Sequence, residues 1–195
     1  LVVGIGNEKV TPDSLGPHTI DKVKITSHLF RIYDADGDFE MANVSGFNPS
    51  VTGVTGMETA ELIERVVSLV SPEIVIVVDS LAAKNMERMS TTIQISDTGI
   101  EPGAGMGNKR RGISEETLGC KVIAIGVPTV IDSKTLIMEA AESSLGWEEQ
   151  KINAYFKDKK LDMIVTSTDI DEIIKDFSDI ISNAINITLH PGIYS

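Results

Sequence analysis

The sequence is poor in cysteine, basic residues and long apolar runs, and each shortage excludes a class of protein. Its 195 residues include a single cysteine, so no disulfide can form within the chain and a reducing compartment is expected. Because 17 basic residues stand against 29 acidic ones, the net charge is −12, which argues against a nucleic-acid-binding protein. No apolar run approaches the ~18 residues of a membrane-spanning helix, so no membrane partner is expected.

Histidine is also scarce, and this limits the catalytic options. The three histidines form no His-Glu-x-x-His motif and no cysteine pair is present, so neither a metal site nor a cofactor is predicted. No Gly-x-Ser-x-Gly elbow predicts a serine hydrolase. Cys120 opens the apolar run 120–126 and is interpreted as a core residue, with no nucleophilic role expected.

What is present is an alternation of apolar runs and helical stretches, which is typical of an α/β fold with a largely parallel central sheet. The predicted strands are apolar runs at 1–5, 74–78 and 122–125, with a more polar strand at 91–95. The predicted helices carry an apolar face and cover 13–30, 55–70, 133–145 and 169–187. Thr55 and Glu58 have the spacing of a capping box, which predicts the start of the second helix.

The simplest organisation is one domain over residues 1–195. The lysine-rich, weakly patterned segment 146–162 is interpreted as a surface insertion or a gap in the numbering. The chain opens on Leu1 without an initiator Met, which is typical of a piece of a longer or processed polypeptide.

Four carboxylates follow the predicted strands, and ligands of open parallel sheets bind beyond the carboxyl ends of strands. They are Asp13, Asp79, Asp97 and Asp132. Converging carboxylates repel, so one of a close pair keeps its proton, and such a pair can activate a water molecule against a peptide carbonyl. Taken alone, any one of them is more typical of a helix cap. Asp79 stands out because it ends a wholly apolar strand, where a buried carboxylate needs a partner.

Asp97-Thr98-Gly99 matches the short motif of pepsin-like proteases, which carry it on two β-rich lobes or subunits. One copy within an α/β pattern argues against a pepsin-type pair, so Asp97 is expected to line the cleft as a substrate-binding residue. The glycine-rich segment that follows lacks the spacing of a P-loop or a dinucleotide-binding motif. We expect it to face the substrate or another subunit. Its candidate substrate-binding residues are Gly103, Gly105, Gly107, Asn108 and Lys109.

Longer motifs cover most of residues 1–138 and resume at 163–166. They lie at 4–17, 26–30, 54–59, 78–83, 90–103, 107–110 and 123–130, and include Thr-Pro-Asp13-Ser-Leu-Gly16 and Val-Val78-Asp79-Ser-Leu-Ala82. Together they resemble the germination proteases of spore-forming bacteria, a family of atypical aspartic endopeptidases. The resemblance implies a three-layer α/β sandwich of the phosphorylase/hydrolase-like kind, and it maps the two catalytic aspartates of the family to Asp13 and Asp79.

The resemblance further implies a function and a setting. The family degrades small acid-soluble spore proteins during germination, in the cytoplasm of the spore core. Its members are made as zymogens, are trimmed at the N-terminus and assemble as homotetramers. The segment 146–162 departs from the family, which usually has a longer insertion there.

Two alternatives remain open. The opening Gly-Asn-x5-Asp pattern distantly resembles the hydrogenase maturation endopeptidases, which bind nickel through carboxylates and a histidine, although their histidine has no evident match here. A metal-dependent endopeptidase is therefore one alternative, and a non-catalytic peptide-binding protein of the same fold is the other. Which aspartate acts as acid and which as base is not determined by the sequence.

Overall fold

The computed structural model describes residues 1–33, 40–104, 110–145, 149–157 and 163–194. Its strands are β1 (Val2–Gly4), β2 (Gly46–Phe47), β3 (Ile74–Ala83), β4 (Gln94–Ser96), β5 (Lys121–Asp132) and β6 (Ile164–Thr166). They form one sheet in the order β2-β1-β3-β5-β4, with β6 beside the end of β5. Strands β2, β1, β3 and β5 pair in parallel, whereas β4 and β6 run antiparallel to β5. The largely parallel sheet predicted from the sequence is confirmed.

Helices cover both faces of this sheet. They are α1 (Leu15–Ile20), α2 (Ser27–Tyr33), α3 (Thr52–Thr55), α4 (Thr59–Val70), α5 (Glu115–Leu118), α6 (Ser133–Leu145), α7 (Glu149–Phe156), α8 (Ile170–Leu189) and α9 (Pro191–Tyr194). Alternate residues of a strand point to opposite faces, so Val78 packs with α1 and α8 while Val75 and Val77 pack with α4. This gives three layers and explains why the central strand is apolar at successive positions.

The predicted helix over 13–30 is wrong, because the structure divides this segment. Residues Thr11–Asp13 form one turn of 3-10 helix, and α1 and α2 follow with an irregular stretch between them. The break is stabilised from far along the chain: the Asn186 side chain accepts a hydrogen bond from the Lys24 amide at 2.8 Å and donates one to the Lys22 carbonyl at 3.0 Å. The spacing of apolar residues within a short stretch of sequence does not reveal such a long-range contact.

The predicted capping box is also wrong. Thr55 ends α3, and Gly56 follows in the left-handed conformation with φ of 72°, which turns the chain before α4 begins at Thr59. The Thr55 hydroxyl accepts its hydrogen bond from the Met57 amide at 3.2 Å, and Glu58 occupies the N-cap position. The predicted end of this helix at Val70 is confirmed.

Strands β3 and β5 are longer than the apolar runs that predict them. They pair residue by residue from Ile74 with Lys121 to Ala83 with Ile131, with one register shift between Leu81 and Ala82. Asp79 therefore lies within β3, opposite Gly126, instead of in a loop after the strand. The strand continues because backbone pairing with β5 does not depend on apolar side chains.

No helix among the described residues has both the length and the apolar character needed to cross a membrane.

Candidate active site

A cavity of about 500 Å³ opens where β1 ends and where β3 and β5 continue past it. Its walls are mostly apolar, and the polar side chains that line it include Asp13, Asp79, Glu101, Arg110 and Thr129. A concave apolar pocket with a few converging polar groups is typical of a binding or active site. The position agrees with the rule that ligands of parallel sheets bind beyond the strand ends.

Asp13 is held at the edge of this cavity by the turn that precedes α1. It is the last residue of the 3-10 turn that Pro12 helps to start, and its carboxylate accepts a hydrogen bond from the Asn7 amide at 2.9 Å. Gly16 lets α1 approach the sheet closely, since a Cβ there would lie 2.2 Å from the Ile5 carbonyl oxygen and 2.5 Å from that of Val78. The glycine thereby fixes how near Asp13 lies to β3.

Two threonines link the Asp13 turn to the neighbouring strands. The hydroxyl of Thr129, which is wholly buried in β5, donates a hydrogen bond to the Pro12 carbonyl at 2.6 Å. The hydroxyl of Thr166 in β6 in turn donates to the Thr129 carbonyl at 2.7 Å. Since both threonines line the cavity, these bonds connect β6, β5 and the residue before Asp13 along one wall of the site.

Asp79 lies deeper than Asp13. Its side chain is 5% exposed, whereas Asp13 is half-buried. The Asp79 carboxylate accepts a hydrogen bond from the Ser80 amide at 2.9 Å. The neighbouring Ser80 also lines the cavity, and its buried hydroxyl has no hydrogen-bond partner among the described residues.

The two carboxyl groups differ in how tightly they hold a proton. Burial raises the pKa of Asp79 well above its ordinary value, the negative charge of Asp13 raises it further, and the Ser80 amide opposes both effects. Burial also raises the pKa of Asp13, but there the Asn7 amide and the positive charge of Arg110 favour the ionised form. The arrangement can therefore hold one protonated and one ionised carboxyl group in the same cavity.

Arg110 is a positively charged group in the wall of this cavity. Its guanidinium group donates a hydrogen bond to the Thr52 hydroxyl at 2.6 Å, which anchors the half-buried side chain to α3. Neither Arg110 nor Thr129 was among the candidate site residues. A sequence feature that could have identified Thr129 is its position as a polar residue inside an apolar, strand-like segment. For Arg110, the available feature is its position next to the glycine-rich segment.

The expectation that four carboxylates meet at one edge is met by two of them, Asp13 and Asp79. Asp97 is exposed and is not among the described residues that line the cavity. It follows β4, which runs antiparallel to β5, so the end of β4 points to the opposite edge of the sheet. Asp132 ends β5, where its carboxylate accepts hydrogen bonds from the amides of Lys134 and Thr135, as a helix cap does.

The glycine-rich segment lies only in part within the described residues. Gly103 lines the cavity. Gly105, Gly107, Asn108 and Lys109 lie outside the described residues. Cys120 is half-buried beside the cluster formed by β1, β3 and α4, and burial raises the pKa of its thiol. The described residues include no group of three or more His, Cys, Asp or Glu side chains that could hold a metal ion.

Comparisons with known proteins show the family of this chain. The family model described as germination protease matches residues 1–160. The chain is 42% identical over 215 residues to the germination protease of Caldanaerobacter subterraneus subsp. tengcongensis, covering 99% of this chain and 66% of that protein. It is 49% identical over 142 residues to the germination protease of Bacillus subtilis, covering 73% of this chain and 39% of that protein. The chain thus spans about two thirds of the length of those relatives that align with nearly all of it.

Among solved structures, the NiFe hydrogenase maturation protease HycI of Thermococcus kodakarensis is similar with a TM-score of 0.41 and 14% identity, covering 93% of this chain and 88% of that one. This likeness is too remote to assign an activity. The family model covers residues 1–160 and the Caldanaerobacter relative aligns over 99% of the chain, so this chain belongs to the germination protease family.

Proposed function

We propose that this chain is an endopeptidase in which Asp13 and Asp79 activate a water molecule against a peptide bond. One observation carries the proposal: both carboxyl groups line the same cavity, and the charge of Asp13 raises the pKa of Asp79. Two interacting carboxyl groups in unequal environments supply a base and an acid at one pH. The conclusion also rests on membership of the germination protease family.

Asp13 is the base in this proposal and Asp79 is the acid. Asp79 is nearly inaccessible to solvent and carries the larger upward pKa shift, so it retains its proton. Asp13 is half-buried, and the Asn7 amide and Arg110 stabilise its ionised form.

The proposed reaction uses both groups in turn. The Asp13 carboxylate takes a proton from the water molecule as the water oxygen bonds to the peptide carbonyl carbon, which leaves an oxyanion. The oxyanion then re-forms the carbonyl while the carbon–nitrogen bond breaks and Asp79 gives its proton to the leaving amine. Proton transfer from Asp13 to Asp79 restores the starting state, so water and the peptide bond are the only groups consumed.

We infer the substrate and setting from the family. The substrates are small acid-soluble spore proteins, degraded during germination in the spore core, and the enzyme is an aspartic-type homotetramer made as a zymogen. Supporting this, the relatives aligned over nearly the whole chain are germination proteases. Gly103 remains a substrate-binding candidate because it lines the cavity, and Gly105, Gly107, Asn108 and Lys109 remain so from their sequence motif.

The test is cleavage of a purified small acid-soluble spore protein by the wild type and by the Asp13→Asn and Asp79→Asn variants, each with and without a chelator. Asparagine keeps the shape of the side chain and removes its titrating proton. We expect each variant to lose about 100-fold or more in kcat/KM, the size of an acid–base contribution. Asp176→Asn, on the exposed face of α8, is the matched control and should cleave like the wild type.

The outcomes separate the alternatives. Variants that still cleave at the wild-type rate would contradict the assignment of Asp13 and Asp79. Loss of activity with chelator, restored by one divalent metal, would instead favour a metal-dependent endopeptidase. Binding of the spore protein by the wild type without any cleavage would favour a non-catalytic peptide-binding protein.

A further inference from the structure

We propose that Arg110 binds the oxyanion of the tetrahedral intermediate through its positively charged guanidinium group. The inference rests on the proposed peptidase function and adds a third catalytic residue to the two aspartates. It starts from geometry: Arg110, Asp13 and Asp79 line one cavity of about 500 Å³. Positive groups fixed before the reaction, where negative charge develops, are among the largest contributors to catalysis.

The guanidinium group of Arg110 is held in place by one hydrogen bond and has further N–H donors. One of its nitrogens donates to the Thr52 hydroxyl at 2.6 Å, and no ion pair within 4.0 Å joins it to a carboxylate among the described residues. A guanidinium group carries five N–H donors in a rigid plane. The remaining donors can therefore bind a substrate oxygen while the Thr52 contact limits the motion of the side chain.

The next residue, Arg111, lies in a different environment from Arg110. The Arg111 side chain is exposed, does not line the cavity, and pairs with Glu64 of α4 at 2.9 Å. Two consecutive arginines thus face different surroundings, one in the cavity wall and one on the surface. Arg111 supplies a control with the same charge, the same side chain and nearly the same position in the chain.

The proposed chemistry develops a negative charge that the two aspartates do not neutralise. Attack of water on the carbonyl carbon moves the carbonyl electron pair to oxygen, and Asp79 holds its single proton for the leaving amine. The oxyanion therefore needs hydrogen-bond donors that do not give up a proton. Arginine is suited to this role because it stays protonated throughout the accessible pH range.

Arg110 also acts on Asp13, which gives a readout that needs no substrate. Among the described residues, charged or titratable groups on the elements packed against the Asp13 turn include His18 of α1, Asp79 of β3, Asp132 of β5, and Asp171 and Glu172 at the start of α8. Glu101 and Arg110 lie in the cavity wall, and Glu8 and Lys9 lie in the loop before Asp13. Arg110 lowers the pKa of Asp13 against the effect of burial. Removal of its charge should therefore raise that pKa.

The first experiment follows the Asp13 carboxyl carbon by NMR titration in the wild type, Arg110→Met, Arg110→Lys and Arg111→Met. We expect an upward pKa shift in Arg110→Met, values near that of the wild type in Arg110→Lys, and no shift in Arg111→Met. An Asp13 pKa that stays the same in Arg110→Met would overturn the inference. An equal shift in Arg111→Met would also overturn it, because the effect would then come from net charge alone.

The second experiment measures kcat and KM for spore-protein cleavage over a range of pH. Arg110→Met should lose about 100-fold in kcat with little change in KM, the effect of removing one oxyanion donor, and its acid limb should move to higher pH. Arg110→Lys should keep the acid limb but lose roughly 10-fold in kcat, since an ammonium group lacks the planar donor set. Arg111→Met should match the wild type.

These results separate the inference from the proposed function. Full activity in Arg110→Met, alongside inactive Asp13→Asn and Asp79→Asn, overturns the role of Arg110 and leaves the peptidase proposal standing. A wild type that cleaves nothing ends the peptidase proposal and the oxyanion role with it, while the NMR titration still measures whether Arg110 acts on Asp13. If Arg110→Met does not fold, Arg110→Lys and Thr52→Val replace it, and wild-type kcat in both overturns the inference.

Discussion

The burial of Asp79 predicts that removal of its charge stabilises the protein. The side chain is 5% exposed, and burial together with the Asp13 charge raises its pKa well above the ordinary value. The substitution Asp79→Asn keeps an oxygen that can accept the hydrogen bond from the Ser80 amide. It also removes a group that must take up a proton on folding at neutral pH, because the poorly hydrated cavity disfavours the ionised carboxylate. The Asp79→Asn variant, which lacks the proposed catalytic acid, should therefore unfold at a higher temperature than the wild type.

The pH dependence of this effect has a definite sign. Below the unfolded-state pKa of about 3.9, Asp79 is protonated in both states, and the variant and the wild type differ little through this group. As pH rises toward the raised folded-state pKa, the unfolded wild type releases its proton while the folded one retains it. The free energy of unfolding of the wild type then falls, by at most about 1.36 kcal/mol per pH unit. The stability advantage of the variant grows over this window and levels off above it.

The expected advantage at pH 8 is roughly 2 kcal/mol, the middle of the range for a buried polar group that lacks full hydrogen bonding. For a chain of this length that corresponds to an increase in Tm of roughly 4–8 °C. The assay is thermal and urea unfolding of both proteins from pH 4 to pH 8. Asp176→Asn on the exposed face of α8 is the control, and should differ from the wild type by less than about 0.5 kcal/mol at every pH. An Asp79→Asn variant that is less stable than the wild type at pH 8 would refute the reasoning, because it would mean that the buried carboxylate is ionised and stabilising.

Two further predictions concern the framework around the carboxylates. Thr129→Val removes the hydroxyl that donates a hydrogen bond to the Pro12 carbonyl, so it should lower the free energy of unfolding by about 1–3 kcal/mol. It should also lower kcat roughly 10-fold or more, because Asp13 is displaced. The control Thr188→Val, at an exposed position on α8, should leave kcat unchanged. Gly16→Ala should prevent correct packing of α1, since its Cβ would lie 2.2 Å from the Ile5 carbonyl oxygen, and circular dichroism and unfolding curves should show a loss of several kcal/mol or no folded protein. Gly53→Ala, where nothing lies within 4 Å of the added Cβ, is the matched control, and equal stability of the two variants would contradict the close-approach argument.

The layers of the fold could be predicted because their signals are local. The strands β1, β3 and β5 are apolar at successive positions, and α8 repeats Ile170, Ile174, Ile181 and Ile185 on one face. Strand extension and helix interruption could not be predicted in the same way. Asp79 lies within β3 because β5 pairs beyond the apolar run, and the segment after α1 leaves the helical path because Asn186 binds its backbone.

The site was accessible to sequence reasoning only in part. Asp79 stands out as a carboxylate in an apolar run, and Asp13 follows from the motif Thr-Pro-Asp13-Ser-Leu-Gly16. Asp97 has a comparable position after a strand, yet the structure directs it away from the cavity. The direction of β4 decides this difference, and an antiparallel strand of three residues carries no sequence mark of its direction.

The α/β class, the family and the candidate pair Asp13 and Asp79 could be read from the sequence, because composition, apolar periodicity and extended motifs are properties of the chain read in order. Tertiary structure alone decided which polar groups surround those aspartates. Arg110 and Arg111 are chemically identical neighbours, but one lines the cavity beside Asp13 and the other pairs with Glu64 on the surface. Burial and distance set how strongly a charge acts, and both depend on residues brought together from distant parts of the chain.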